Sequence, residues 1–156
     1  MTLEEKNRLL ISLTDAHSAT RAIVAGIDLE MPVHLDSGWR VRDILGHIAT
    51  WDREATKSLR AYCAGTEYTT PDLDEAEHDF NQRAVQELRA LSTQQLIEEW
   101  ELARQDFKQA IEEIPLEKFP GDLLYPWGTE RGSISKLVEY MVEHDVEHRD
   151  EIVRAA

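Results

Sequence analysis

The chain has 156 residues, a formal charge of −14 and one cysteine. That length fits one domain over 1–156 with a sizeable core, and so acidic a chain lacks the clustered Lys and Arg that hold nucleic-acid phosphates or an anionic membrane. No apolar run approaches the roughly 18–20 residues needed to span a bilayer, so membrane insertion is excluded as well.

The first helix is expected to begin at Thr2, where Thr2-x-x-Glu5 has the form of a capping box. Leu9, Leu10, Leu13, Ala16, Thr20, Ile23, Val24 and Ile27 recur at helical spacing and give it one buried face. His17 lies beside that face without a partner at metal-ligand spacing, and reads as an ordinary packing residue. The polar start lacks the apolar core of a signal peptide, and Cys63 alone can form no intrachain disulfide. Both features lead us to expect a reducing cytoplasm.

Pro32 and Gly38 punctuate a loop over 28–38. The spacing then predicts a second helix from about Val41 to Tyr62, with Val41, Ile44, Leu45, Ile48, Ala55 and Leu59 as its apolar stripe. His47 falls within that stripe, between Ile44 and Trp51, where a histidine is either a satisfied core residue or a ligand aimed inward. After a loop over 64–71, Asp72-x-x-Glu75 resembles a capping box opening a helix to about Ala90. Ser92-x-x-Gln95 has the same form, so the two caps favour two helices over one kinked helix. Leu96, Trp100, Ala103, Phe107, Ala110, Ile111 and Ile114 carry the second of these to Pro115.

Residues 116–132 hold two prolines and three glycines and read as a long connection without regular structure, a kind that is often functional. Trp127 within it either drapes over a binding pocket or plugs one end of the core. No strand pattern competes anywhere. The sum is an all-α chain, a four-helix bundle with an extra helix between main helices 2 and 3.

The last helix starts near Ser133 and carries His144 and His148 four residues apart, continuing a stripe of Leu137, Met141 and Ile152. Two imidazoles on one inward face make half of a transition-metal site, and His47 is the best third ligand available. The alternative is that all three are core histidines.

Gly38 to Asp52 (GWRVRDILGHIATWD), read with Glu143 to His148 (EHDVEH), resembles the DinB-like (DinB/YfiT-like) metalloenzyme bundles over nearly the whole chain. Phe80, Asn81, the Trp127 loop and the Glu-His ending look nearest to the ClbS/DfsB branch. The resemblance implies an up-down-down-up bundle, often a homodimer, holding a divalent ion (zinc, nickel or iron) through His47, His144 and His148. It further implies a detoxification-type enzyme acting on a small electrophilic metabolite, as a hydrolase or as a transferase using a low-molecular-weight thiol. A non-catalytic protein that sequesters such a metabolite is the alternative. One departure is Arg40, where these proteins often have Ser or Thr as a helix cap.

Three neutral imidazoles leave an open coordination position, which allows acidification of water or capture of a thiolate. Each histidine then needs an acceptor for its other N–H. Asp43, four before His47, and Glu151, three after His148, are the candidates by helix face, while Asp145 and Glu147 read as solvated charges. Tyr140, four before His144, is a candidate pocket hydroxyl. Asn81 is named through the resemblance alone.

Overall fold

A computed structural model describes residues 2–73 and 77–156 of the chain. Five helices account for most of them: α1 (Leu3–Val24), α2 (Val41–Cys63), α3 (Glu77–Leu88), α4 (Thr93–Glu112) and α5 (Ile134–Ala155). The predicted caps on Thr2 and Ser92 both form, each side chain accepting from the backbone N–H three residues on and receiving the reciprocal bond. The α4 cap separates α3 from α4, as the doubled capping pattern implied. At α2 only half a box exists: Asp43 accepts the Arg40 N–H at 2.9 Å, and Arg40 has no acceptor to return. Asp72 does not cap α3. Its φ of 61° is left-handed rather than the extended backbone of an N-cap, and Glu75 lies outside the described residues.

The connection after α4 carries more structure than expected. A short 3-10 turn (Leu116–Lys118) leads into two antiparallel strands, β1 (Leu123–Leu124) and β2 (Arg131–Gly132). Strands of two residues are too short to show alternation, so no sequence periodicity could reveal them. Gly132 is required there, because a Cβ at that position would stand 2.6 Å from the Tyr125 hydroxyl, which donates to the Ser133 carbonyl.

Side-chain pairings fix the directions of the helices. Arg149 of α5 reaches Ala16 and Thr20 of α1, and Arg104 of α4 reaches Leu13 of α1 and Asp145 of α5, so α1 and α5 run parallel. Arg42 bonds Leu91, and Asp52 bonds Arg104, so α2 runs parallel to α4. Lys6 of α1 meets the carbonyls of Glu112 and Ile114 just beyond the other end of α4, which sets the two pairs antiparallel. The result is an up-down-down-up four-helix bundle with α3 as the extra helix.

Its apolar interior falls into two parts. One gathers Trp51, Leu59, Phe107, Tyr125 and Met141; the other gathers Ile44, Ile48, Trp100 and Ile152. The level between them is polar. Arg104 lies there between Asp52 and Asp145, all three almost fully buried. Asp145 is therefore no solvated surface charge, because its carboxylate closes a buried ion pair. The second polar group at this level is made of histidines.

Candidate metal centre

His47 from α2 meets His144 and His148 from α5, because antiparallel packing brings one turn of α2 against two turns of α5. His47 is buried, while His144 and His148 are partly exposed. The Nε2 atom of His144 lies 3.0 Å from Nε2 of His47 and 3.0 Å from Nε2 of His148. A neutral imidazole nitrogen carries either one N–H or one lone pair. His144 Nε2 can therefore satisfy only one of those two contacts, and the cluster is frustrated as a hydrogen-bond network.

Protonation does not relieve it. Burial, reinforced by the neighbouring charges of His144, His148 and His34, holds His47 well below the usual histidine pKa. Burial, His148 and Arg104 likewise bring His144 down to about 3. Both rings are neutral at pH 7. A cation other than a proton satisfies converging lone pairs, and the three ligand atoms all lie within 4.8 Å of one another. The donor set thus fits a divalent ion, and among the described residues no other group of three such side chains converges this way.

The surroundings match the expectations in part. Glu151 does hold His148: its carboxylate accepts from Nδ1 at 3.1 Å, which leaves Nε2 as the lone-pair nitrogen. The same oxygen lies 2.9 Å from His34 Nε2, so the loop before α2 is tied to the cluster. His34 also stacks on Trp39, which in turn lies against His47. Nothing in the sequence pointed to His34, which sits in an irregular loop 117 positions from its partner. Asp43 corrects the sequence reading. Its carboxylate is taken up by Arg40 and Arg89 near the start of α2, and the Nδ1 atoms of His47 and His144 have no partner among the described residues. His17 lies apart from the cluster, 2.9 Å from Glu101 and against Trp100.

A cavity of about 320 Å³ opens onto the cluster, at the small end of ligand pockets. His47 and His144 form part of its wall, with Trp51, Asn81, Trp127, Tyr140 and Met141 around them. Trp127 and Tyr140 line this cavity and also pack against the core, and the Tyr140 hydroxyl donates to Glu130 at 2.8 Å. Asn81 accepts the indole N–H of Trp51 at 2.9 Å, fixing that ring. A second hollow, about 240 Å³, reaches His47 and His148 from the side of His34 and Trp39. A larger cleft of about 430 Å³ lies between α2, α3 and α4. Its Arg53 and Lys57 are already paired with Glu99, Asp106 and Glu54, and it lacks the histidines, so its size marks no chemistry.

The family described as "Mycothiol maleylpyruvate isomerase N-terminal domain" matches residues 13–132 of this chain. No curated protein matches. Among solved structures, the mycothiol-dependent maleylpyruvate isomerase is similar with a TM-score of 0.75 at 14% identity, covering 97% of this chain. This chain spans 60% of that protein's length. An uncharacterised protein from Clostridium difficile 630 is similar with a TM-score of 0.78 at 16% identity, covering 99% of this chain and 96% of its own. YfiT from Bacillus subtilis is described as a probable metal-dependent hydrolase with an unusual four-helix bundle topology. It is similar with a TM-score of 0.68 at 15% identity, covering 99% of this chain and 87% of its own. At such identities these structures establish the shared fold.

Proposed function

This chain belongs to the family of the mycothiol maleylpyruvate isomerase N-terminal domain, within the DinB-like superfamily, and from that premise we propose that it is a divalent-metal-dependent enzyme acting on a small electrophilic metabolite. The carrying observation is the pair of 3.0 Å contacts at His144 Nε2, of which one ring nitrogen can satisfy only one as a hydrogen bond. His47, His144 and His148 would hold the ion, which is zinc, nickel or iron since imidazole suits all three. When bound, such an ion supplies a Lewis acid and a site where a low-molecular-weight thiol ionises near neutral pH.

The chain's own residues do the rest. Glu151 keeps the His148 Nδ1 protonated and its Nε2 free. Trp51, Trp127 and Tyr140 give the cavity an apolar wall for a ligand to pack against. Among the described residues the cavity wall holds no cysteine or serine, so a thiol or hydroxyl nucleophile would come from a co-substrate or from water. Thiol transfer is supported by the mycothiol dependence of the matched isomerase, and hydrolysis by the description of YfiT.

The test is turnover of model epoxides, maleyl compounds and activated esters by zinc- or nickel-loaded protein. It is run with and without mycothiol, bacillithiol or glutathione, beside His144→Ala. Turnover that needs both metal and His144 is expected. Stoichiometric capture without turnover would replace the enzyme by a sequestering protein.

A further inference from the structure

The cavity beside the histidines differs in its charge from what a dicarboxylate substrate requires. Among the described residues its wall contains no Lys or Arg, although the Lys136 ammonium lies 5.6 Å from the Tyr140 ring centroid and pairs with Glu130. The wall contains instead the aromatic rings Trp51, Trp127 and Tyr140 and two carboxylates, Glu77 and Glu130. Trp127 stands 6.5 Å from Trp51 and 5.5 Å from Tyr140, centroid to centroid, in tilted and edge-on geometries. Rings so inclined present differently directed faces, and ring faces attract cations. We infer that this cavity binds a ligand bearing a basic amine or other organic cation, seated against Trp51 and Trp127 and beside Glu77, with its remaining part directed at the histidines.

The electrostatics support this assignment. The hydrogen bond from Tyr140, followed by Lys136, holds the Glu130 carboxyl below its usual pKa, so it stays ionised. Lys136 reaches Glu130 at 3.1 Å while half-exposed, and Glu77 has no ion-pair partner among the described residues. One carboxylate is therefore left to face a ligand cation. The whole chain, at −14, disfavours the approach of dianions and favours that of cations. His47, which lines this cavity and is only 6% exposed, also has an Nδ1 without a partner among the described residues. A substrate with an electrophilic end directed at the histidines and a cationic end beside the rings and Glu77 matches the two ends of the cavity.

This inference rests on reading the cavity as the substrate site, but its test is independent of metal and turnover. Metal-free whole protein is titrated with 3-phenylpropylamine and with 3-phenylpropionate, close in size and opposite in charge, following tryptophan fluorescence and calorimetric heat. The amine is expected to bind about tenfold more tightly than the acid. Glu77→Gln should remove most of that preference, and Trp127→Leu should weaken the amine while leaving the fold's circular dichroism unchanged. Equal binding, preference for the acid, or no binding of the amine would overturn the inference. A parallel zinc titration separates the two readings. Amine selectivity without zinc binding removes the metal from the account and keeps the cavity's ligand class. Zinc binding without amine selectivity does the reverse.

Discussion

Two polar groups share the middle level of this bundle, and they are built on opposite principles. Arg104 donates from Nε, Nη1 and Nη2 to Asp52 and Asp145, and Nη1 also reaches the Leu13 carbonyl, at 2.8–3.2 Å. Every guanidinium nitrogen is used. The histidine cluster, centred on the residue next to Asp145, leaves two Nδ1 atoms without partners among the described residues and forces three Nε2 atoms together. A buried group that satisfies itself serves the fold. One that remains unsatisfied, beside a cavity, is organised for something that arrives from outside.

The sharpest way to break this comparison is to exchange the roles by mutation. Arg104→Met leaves Asp52 and Asp145 buried without their cation, which should destabilise the chain by about 3–5 kcal/mol in urea titration. Asp52 is already strained, since burial and Asp145 push its carboxyl up to about 6 despite Arg104. His144→Ala should behave in the opposite way. It should abolish metal binding, while the metal-free protein loses no more than the ~1 kcal/mol of an ordinary substitution. A loss for His144→Ala as large as that for Arg104→Met would erase the distinction.

A finer test concerns Glu151. Replacing it by alanine removes the acceptor for both His148 and His34, and metal affinity should fall about 10- to 100-fold by competition with a chelating dye. A further test is the pH dependence of metal-free stability. His47 and His144 are held below their unfolded pKa of 6.5, so the unfolded chain binds more protons. Stability contributed by these rings should be full above pH 6.5 and decline as the pH falls from there toward about 3. Wild type should therefore lose stability over that window more steeply than His47→Ala, His144→Ala.

Much of this was legible in the sequence, and the gaps have physical causes. His47, His144 and His148 stood out because they occupy stripe positions on helices whose faces are fixed by periodicity. Glu151 was legible for the same reason, three residues from His148. Asp43 was misread because helix-face spacing ignores competitors: it is the third residue of α2, where the Arg40 N–H needs an acceptor, and Arg89 arrives from beyond α3. Asp52 and Arg104 also lie on apolar stripes, four after Ile48 and Trp100, and that position was a signal that they were buried. Glu77 and Glu130 carried no such signal, because the connection and the start of α3 have no period to place them.

The most direct test of the central claim is the metal content of protein purified without a histidine tag, measured beside His47→Ala, His144→Ala. The account predicts about one equivalent of zinc, nickel or iron in the wild type, before or after incubation with the ion, and none in the double mutant. No metal in the wild type even after incubation, or equal metal in both proteins, would contradict it.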